Sequence, residues 1–147
     1  MKILFVCHGN INRSAAGEII LKQIKPEWEV KSAALKDTKG NEITAKKMRD
    51  ALNEMGYPTS GIRSTPISLE LAYWADVIFY MDDSNEKKLS DKFGNNIISK
   101  AIRLGSFIGV RKIPDPNFAK GNELHKQVII MIRLSLDKFI DELQIKK

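Results

Sequence analysis

Lys2-Ile3-Leu4-Phe5-Val6-Cys7-His8-Gly9-Asn10-Ile11-Asn12-Arg13-Ser14 reads as a strand, a tight loop and the first turn of a helix. Ile3 to Val6 form the short, unbroken apolar run expected of a buried strand. Gly9 and Asn10 supply the backbone freedom that a tight loop needs. From Arg13 onward, Ile19, Ile20 and Ile24 fall on one side of a helix that Pro26 ends. A loop between a strand end and a helix N-terminus gathers N–H groups around one point and adds the helix dipole. The stretch therefore predicts an anion site built largely from backbone.

Cys7 lies at the bottom of that loop and Arg13 closes it. Donors around a sulfur favour the thiolate, which is the reactive form. Arg13 offers a planar fork of N–H groups to two oxygens of an oxyanion, and Ser14 a hydroxyl to the sulfur. Residues Cys7, His8, Gly9, Asn10, Ile11, Asn12, Arg13 and Ser14 together would hold a phosphate ester with its phosphorus facing a nucleophile. Cys-x5-Arg by itself also fits an inert buried thiol and an ordinary first-turn arginine. The strand before it and the helix after it favour the phosphate site.

The remaining chain alternates strands and helices. A second strand is expected over Trp28 to Ser32, followed by a polar loop from Lys36 to Asn41. A helix capped by Thr44 runs to Gly56, a loop fills Tyr57 to Pro66, and Ser68 to Trp74 form a short helix. Val77-Ile78-Phe79-Tyr80 suits a buried parallel strand. Met81-Asp82-Asp83-Ser84-Asn85 turns into a helix ending near Gly94, and Ile98 to Leu104 contain a fourth strand. Ile113-Pro114-Asp115-Pro116 is a stiff loop, and an amphipathic helix runs from about Asn122 to Leu143. Such alternation requires crossovers and a parallel sheet. The predicted fold is a small doubly wound, flavodoxin-like α/β domain over 1–147: four parallel strands with helices on both faces. Its ligands bind beyond the carboxyl ends of the strands, where Cys7 lies.

Composition narrows the setting. A chain of 147 residues suits one domain, and no apolar run reaches membrane-spanning length or resembles a signal peptide. A single cysteine cannot form an intramolecular disulfide and suits a reducing cytoplasm. The net charge of +6 points to anionic partners or to a lysine-rich surface, and Lys22, Lys46, Lys47, Lys87 and Lys88 read as solvated helix faces. No basic-aromatic stripe speaks for nucleic acid. No cluster of Cys, His and acidic residues has the spacing of a metal site, so no cofactor is expected. His8 is expected at the mouth of the loop facing solvent, and His125 on the surface of the last helix.

Cys7-His-Gly-Asn-Ile-Asn-Arg13-Ser14 resembles the signature loop of the low-molecular-weight protein tyrosine phosphatases. The resemblance implies metal-independent hydrolysis of phosphotyrosine proteins, or of small aryl phosphates, through a phosphocysteine, with inhibition by phosphate or vanadate. It also implies a general acid in an Asp-Pro pair, matched by Asp115-Pro116, which by position alone is equally a turn aspartate. Met81-Asp-Asp-Ser-Asn85 is similar to a segment that supports the loop, and Asn10 to the asparagine that shapes it. Some positions depart from the family: Asn12 stands for a second cysteine, Asn117-Phe118 for an aromatic pair, and Ile62 for a histidine. The polar loop Lys36 to Asn41 carries no aromatic. Lys36, Lys39, Arg63, Arg111 and Lys112 are expected around the mouth. Three other readings are a phosphate-recognising module without turnover, an arsenate reductase and a protein-arginine phosphatase. The reductase needs further cysteines, and the arginine phosphatase tends to have threonine where Ile11 stands.

Overall fold

In the computed structural model, which describes residues 1–145, a four-stranded sheet has the order β2-β1-β3-β4. The strands are β1 (Lys2–Cys7), β2 (Glu29–Ala34), β3 (Val77–Tyr80) and β4 (Ala101–Arg103), and every pairing is parallel. The helices are α1 (Arg13–Ile24), α2 (Lys46–Glu54), α3 (Leu69–Trp74), α4 (Asp83–Phe93), α5 (Asn95–Ile98) and α6 (Glu123–Ile145). Strand β1 is central, and Ile3, Leu4, Phe5 and Val6 are fully buried. Each such side chain contributes about 1.5–3 kcal/mol by leaving water. Ile3 and Phe5 join a core with Phe79 and with residues of α1, α2 and α6, including Ile20, Leu52 and Ile132. Leu4 and Val6 join a second core with Ile78, Ala72 of α3, Leu89 of α4 and Ile97 of α5. Alternate residues of one apolar run thus feed two layers, which is why the run shows no polar face. The expected doubly wound architecture is present.

Helix α1 lies close against β1. A Cβ built on Gly17 would sit 2.5 Å from Cδ1 of Phe5. That ring lies 5.5 Å from Phe79, which packs at 5.0 Å on Phe139 of α6. The close approach fixes where α1 begins relative to where β1 ends.

Several boundaries differ from expectation. Strand β2 extends to Ala34, because Ser32, Ala33 and Ala34 continue the register against Phe5, Val6 and Cys7. Thr44 does not cap α2, whose preceding residue is Ala45. Its hydroxyl accepts from the Ile62 amide at 2.9 Å and donates to the Ile62 carbonyl at 3.3 Å, fastening two loops together. The fourth strand lies within Ile98 to Leu104 as expected, over Ala101–Arg103, and the additional element is α5, which the chain forms after Gly94 at φ 76°. Strand order reverses beside β1, so the crevice beyond its carboxyl end opens at Cys7.

Candidate active site

Asn10 shapes the loop from within. It is fully buried at φ 58°, a left-handed conformation that asparagine tolerates when its side chain bonds locally. Its Nδ2 donates to Ser14 Oγ at 2.8 Å and to Ser32 Oγ at 2.9 Å, and its Oδ1 accepts from the Thr65 amide at 3.0 Å. The Asn10 amide points to Cys7 Sγ at 3.3 Å, and Ser14 Oγ lies 2.9 Å from the same sulfur. Because Ser14 already accepts from Asn10, its own proton remains available to the sulfur. Ser32 in turn donates to Glu18 Oε1 at 2.7 Å. Sequence reasoning misses Glu18, because Glu18 and Lys22 look like a solvated i,i+4 pair; the carboxylate is buried, and only the lysine is in water.

Arg13 is 3% exposed and held on one edge. Its Nη1 donates to Asp82 Oδ2 at 2.7 Å and to the Ile113 carbonyl at 3.0 Å. Burial pushes the Asp82 carboxyl up, but hydrogen bonds from Arg13 and the Asn85 amide outweigh this and leave it below the usual carboxylate value. Asp82 also caps α4 by accepting from that amide at 2.9 Å. The Met81–Asn85 segment therefore does support the loop, through Asp82. Asp83 turns away to Arg103 and Arg111 at 2.7 and 2.8 Å. The other edge of Arg13 is open: Nε is buried without a partner, and Nη2 stops 3.7 Å from Asp115 Oδ2.

Asp115 and the loop meet in one cleft of about 50 Å³. The walls are residues 7–13 apart from Asn10, together with Lys36, Asp115 and Asn117. Asp115 Oδ1 accepts from the Asn117 amide at 3.0 Å, which steadies the carboxyl beyond what the flanking prolines impose. No Phe, Tyr or Trp lines this cleft, and Phe118 is 97% exposed at φ 69°. A groove of about 680 Å³ between α1, β2 and α3 is larger, but no candidate catalytic residue reaches it.

The basic residues sort differently from expectation. Of the five expected around the mouth, only Lys36 lines the cleft; Arg63 bonds the Asn41 carbonyl and Arg111 bonds Asp83. Lys88 is not a solvated face: it is half-buried, with Nζ 2.8 Å from His8 Nδ1. His8 is exposed at the mouth as expected, and burial, then Lys88 and Lys36, hold its pKa below the ordinary histidine value. His125 is not on the surface. It is 2% exposed, its Nδ1 has no partner, and burial followed by Lys47 lowers its pKa. Among the described residues no group of three or more His, Cys, Asp or Glu side chains could hold a metal ion.

Residues 2–147 match the model of the family described as low molecular weight phosphotyrosine protein phosphatase. The chain belongs to that family. A relative from Acinetobacter johnsonii, low molecular weight protein-tyrosine-phosphatase Ptp, is 32% identical over 114 residues, 78% of each chain. The protein tyrosine phosphatase of Entamoeba histolytica, solved with Hepes in its active site, superposes with a TM-score of 0.89. It is 27% identical, and the match covers 98% of this chain and 97% of that one. A mutant of the YwlE arginine phosphatase, solved with its active site serine phosphorylated, gives 0.87 at 25% identity over 98% and 96% of the two chains. As a low-molecular-weight protein tyrosine phosphatase, the chain is a phosphatase, and the sequence-based resemblance is shown.

Proposed function

We propose that residues 1–147 act as one domain that hydrolyses phosphotyrosine, or similar aryl phosphates, through a phosphocysteine. Cys7 Sγ attacks phosphorus, the S–P bond forms, and the bond to the leaving oxygen breaks. Asp115 gives its proton to that oxygen. A water then attacks the phosphocysteine, the Asp115 carboxylate takes its proton, and the sulfur leaves as thiolate. Throughout, Arg13 and the loop amides hold the three equatorial oxygens, and inorganic phosphate or vanadate would compete for the same cradle. The reaction suits the cytoplasm, where a lone thiol stays reduced.

One observation carries this reading. Arg13 is pinned by Asp82 and Ile113 through Nη1, while its Nε–Nη2 edge stands without hydrogen bonds at the cleft that Cys7 and Asp115 share. A buried guanidinium N–H without an acceptor is costly, and Nε is such a group, while Nη2 has only the Asp115 carboxylate at 3.7 Å; an oxyanion in the cleft would match both. The likeness to an arginine phosphatase raises a second reading, but Ile11 lines the cleft, and the sequence resemblance implies threonine at that position in an arginine phosphatase.

The test is hydrolysis of p-nitrophenyl phosphate in EDTA. Wild type should turn over, vanadate should inhibit it competitively, and Cys7→Ala should abolish activity without loss of fold. Activity retained in Cys7→Ala would dismiss the nucleophile.

A further inference from the structure

Beside the catalytic cleft lies a second groove of about 500 Å³, formed by the Leu35–Asp37 turn and one side of α4. It shares His8 and Lys36 with the cleft, so the two are continuous. Its charges are unbalanced at the shared end. Lys88 Nζ has the neutral acceptor His8 Nδ1 as its hydrogen-bond partner at 2.8 Å, and no carboxylate among the described residues forms a salt bridge with it. Asp91 is engaged by Lys87 at 2.7 Å, and Asp37 reaches Lys92 only at 3.9 Å from a fully exposed position. Lys36 is paired with Glu42 at 3.2 Å, yet both side chains are partly in water and the pair can open. A half-buried ammonium bonded to an imidazole has lost water without gaining a counter-charge. An anion brought into the groove would supply one.

Resting on the phosphatase reading, we infer that His8, Lys36 and Lys88 form a subsite for a carboxylate flanking the phosphorylated residue of a protein substrate. The chemistry follows from the wall around the phosphate. The cleft offers no Phe, Tyr or Trp to grip a phenol ring, only Ile11 and the His8 imidazole, which leaves room for charge next to the ring to add recognition. Successive side chains of an extended peptide lie roughly 3.3 Å apart along the backbone, so Asp or Glu within two residues reaches a groove that adjoins the cleft. Lys88 and Lys36 would each pair with it. Desolvation, Lys88 and Lys36 lower the His8 pKa and Asp115 raises it, so an incoming carboxylate would act in the raising direction.

The experiment compares two phosphotyrosine peptides that differ only in having Glu or Ser beside the phosphorylated residue. At low ionic strength, the wild type should favour the acidic peptide by about tenfold in kcat/KM, with the ratio shrinking as salt rises. Lys88→Gln should reduce the ratio to about threefold, and Lys88→Glu should bring it to one or below. Lys87→Gln, on the same helix but paired with Asp91, should leave the ratio as it is. Equal rates on both peptides by a wild type that hydrolyses p-nitrophenyl phosphate overturn this inference alone. So does a ratio that survives Lys88→Glu, or one that falls as far in Lys87→Gln. A wild type with no phosphatase activity overturns the parent reading, and this one with it.

Discussion

Replacing Gly17 by alanine sets two effects of opposite sign against each other. In an exposed helix the change stabilises by about 0.8–1.0 kcal/mol, because glycine is the poorer helix former. Here the new Cβ would meet Cδ1, Cε1 and Cγ of Phe5 at 2.5, 2.7 and 2.9 Å. A flexible neighbour could yield, but Phe5 is fully buried and backed by Phe79, which is itself wedged against Phe139 and Phe107. Overpacking a pinned ring costs at the upper end of the usual range, about 3 kcal/mol. The expected net loss is then about 2 kcal/mol, or a fall in Tm of roughly 4–8 °C for a domain of this size. Thermal unfolding followed by circular dichroism reads the sign directly. Adding Phe5→Leu should make the pair non-additive, with Gly17→Ala costing less in that background than in the wild type. Activity should fall too, because β1 delivers Cys7 and α1 delivers Arg13, and separating them opens the loop. A rise in Tm for Gly17→Ala would mean that helix propensity wins and that the approach of α1 to β1 is not tight.

Asp115→Asn should slow cleavage of phosphotyrosine by roughly 10²–10⁴ and that of p-nitrophenyl phosphate far less, since only the poorer leaving group needs the proton. An equal, modest loss on both substrates would remove Asp115 from the role of acid. Asp82→Ala strips a buried arginine of its carboxylate; with Asp82 itself partly in water and the Ile113 carbonyl still in place, the loss should be about 1–3 kcal/mol in urea unfolding. Vanadate should also bind at least about tenfold more weakly as Arg13 turns, and unchanged stability and affinity would contradict this pairing. His125, whose pKa is lowered by burial, is favoured neutral in the fold, so its contribution is complete above the ordinary histidine value of about 6.5 and is lost as pH falls toward the lower folded value. His125→Gln should therefore flatten the decline of Tm below that pH, and an unaltered slope would show that the residue does not titrate with unfolding.

The sheet and the tight turn from Cys7 to Ser14 were legible because their signals are local. Ile3–Val6 and Val77–Tyr80 announce buried strands by composition alone, and Cys7 through Ser14 carry their chemistry within one turn of chain. What escaped depends on partners far along the sequence. Thr44 reads as a helix cap until Ile62 is placed beside it, and Lys88 reads as a surface lysine until His8, 80 residues away, receives it. The end of β2 was hidden by its small residues, which look like loop but sit in register against β1. His125 could have been found: with Val128, Ile129, Ile132 and Leu136 it keeps the i, i+3, i+4 spacing of the buried stripe of α6. Its polarity argued for the surface, and position decided otherwise.

Because Arg13 is fixed by Asp82 and by the Ile113 carbonyl, 69 and 100 residues downstream, the site is complete only when distant chain has been made. Synthesis at about 5–20 residues per second puts roughly 5–20 s between Arg13 and its second anchor. The central strand β1 likewise waits for β3, some 75 positions on, before both its edges are paired. During that interval Cys7 has neither the Ser14 hydroxyl nor the Asn10 amide fixed beside its sulfur by a folded wall. The cradle around Cys7 is therefore a late product of folding, closed only after the Ile113 segment has been made.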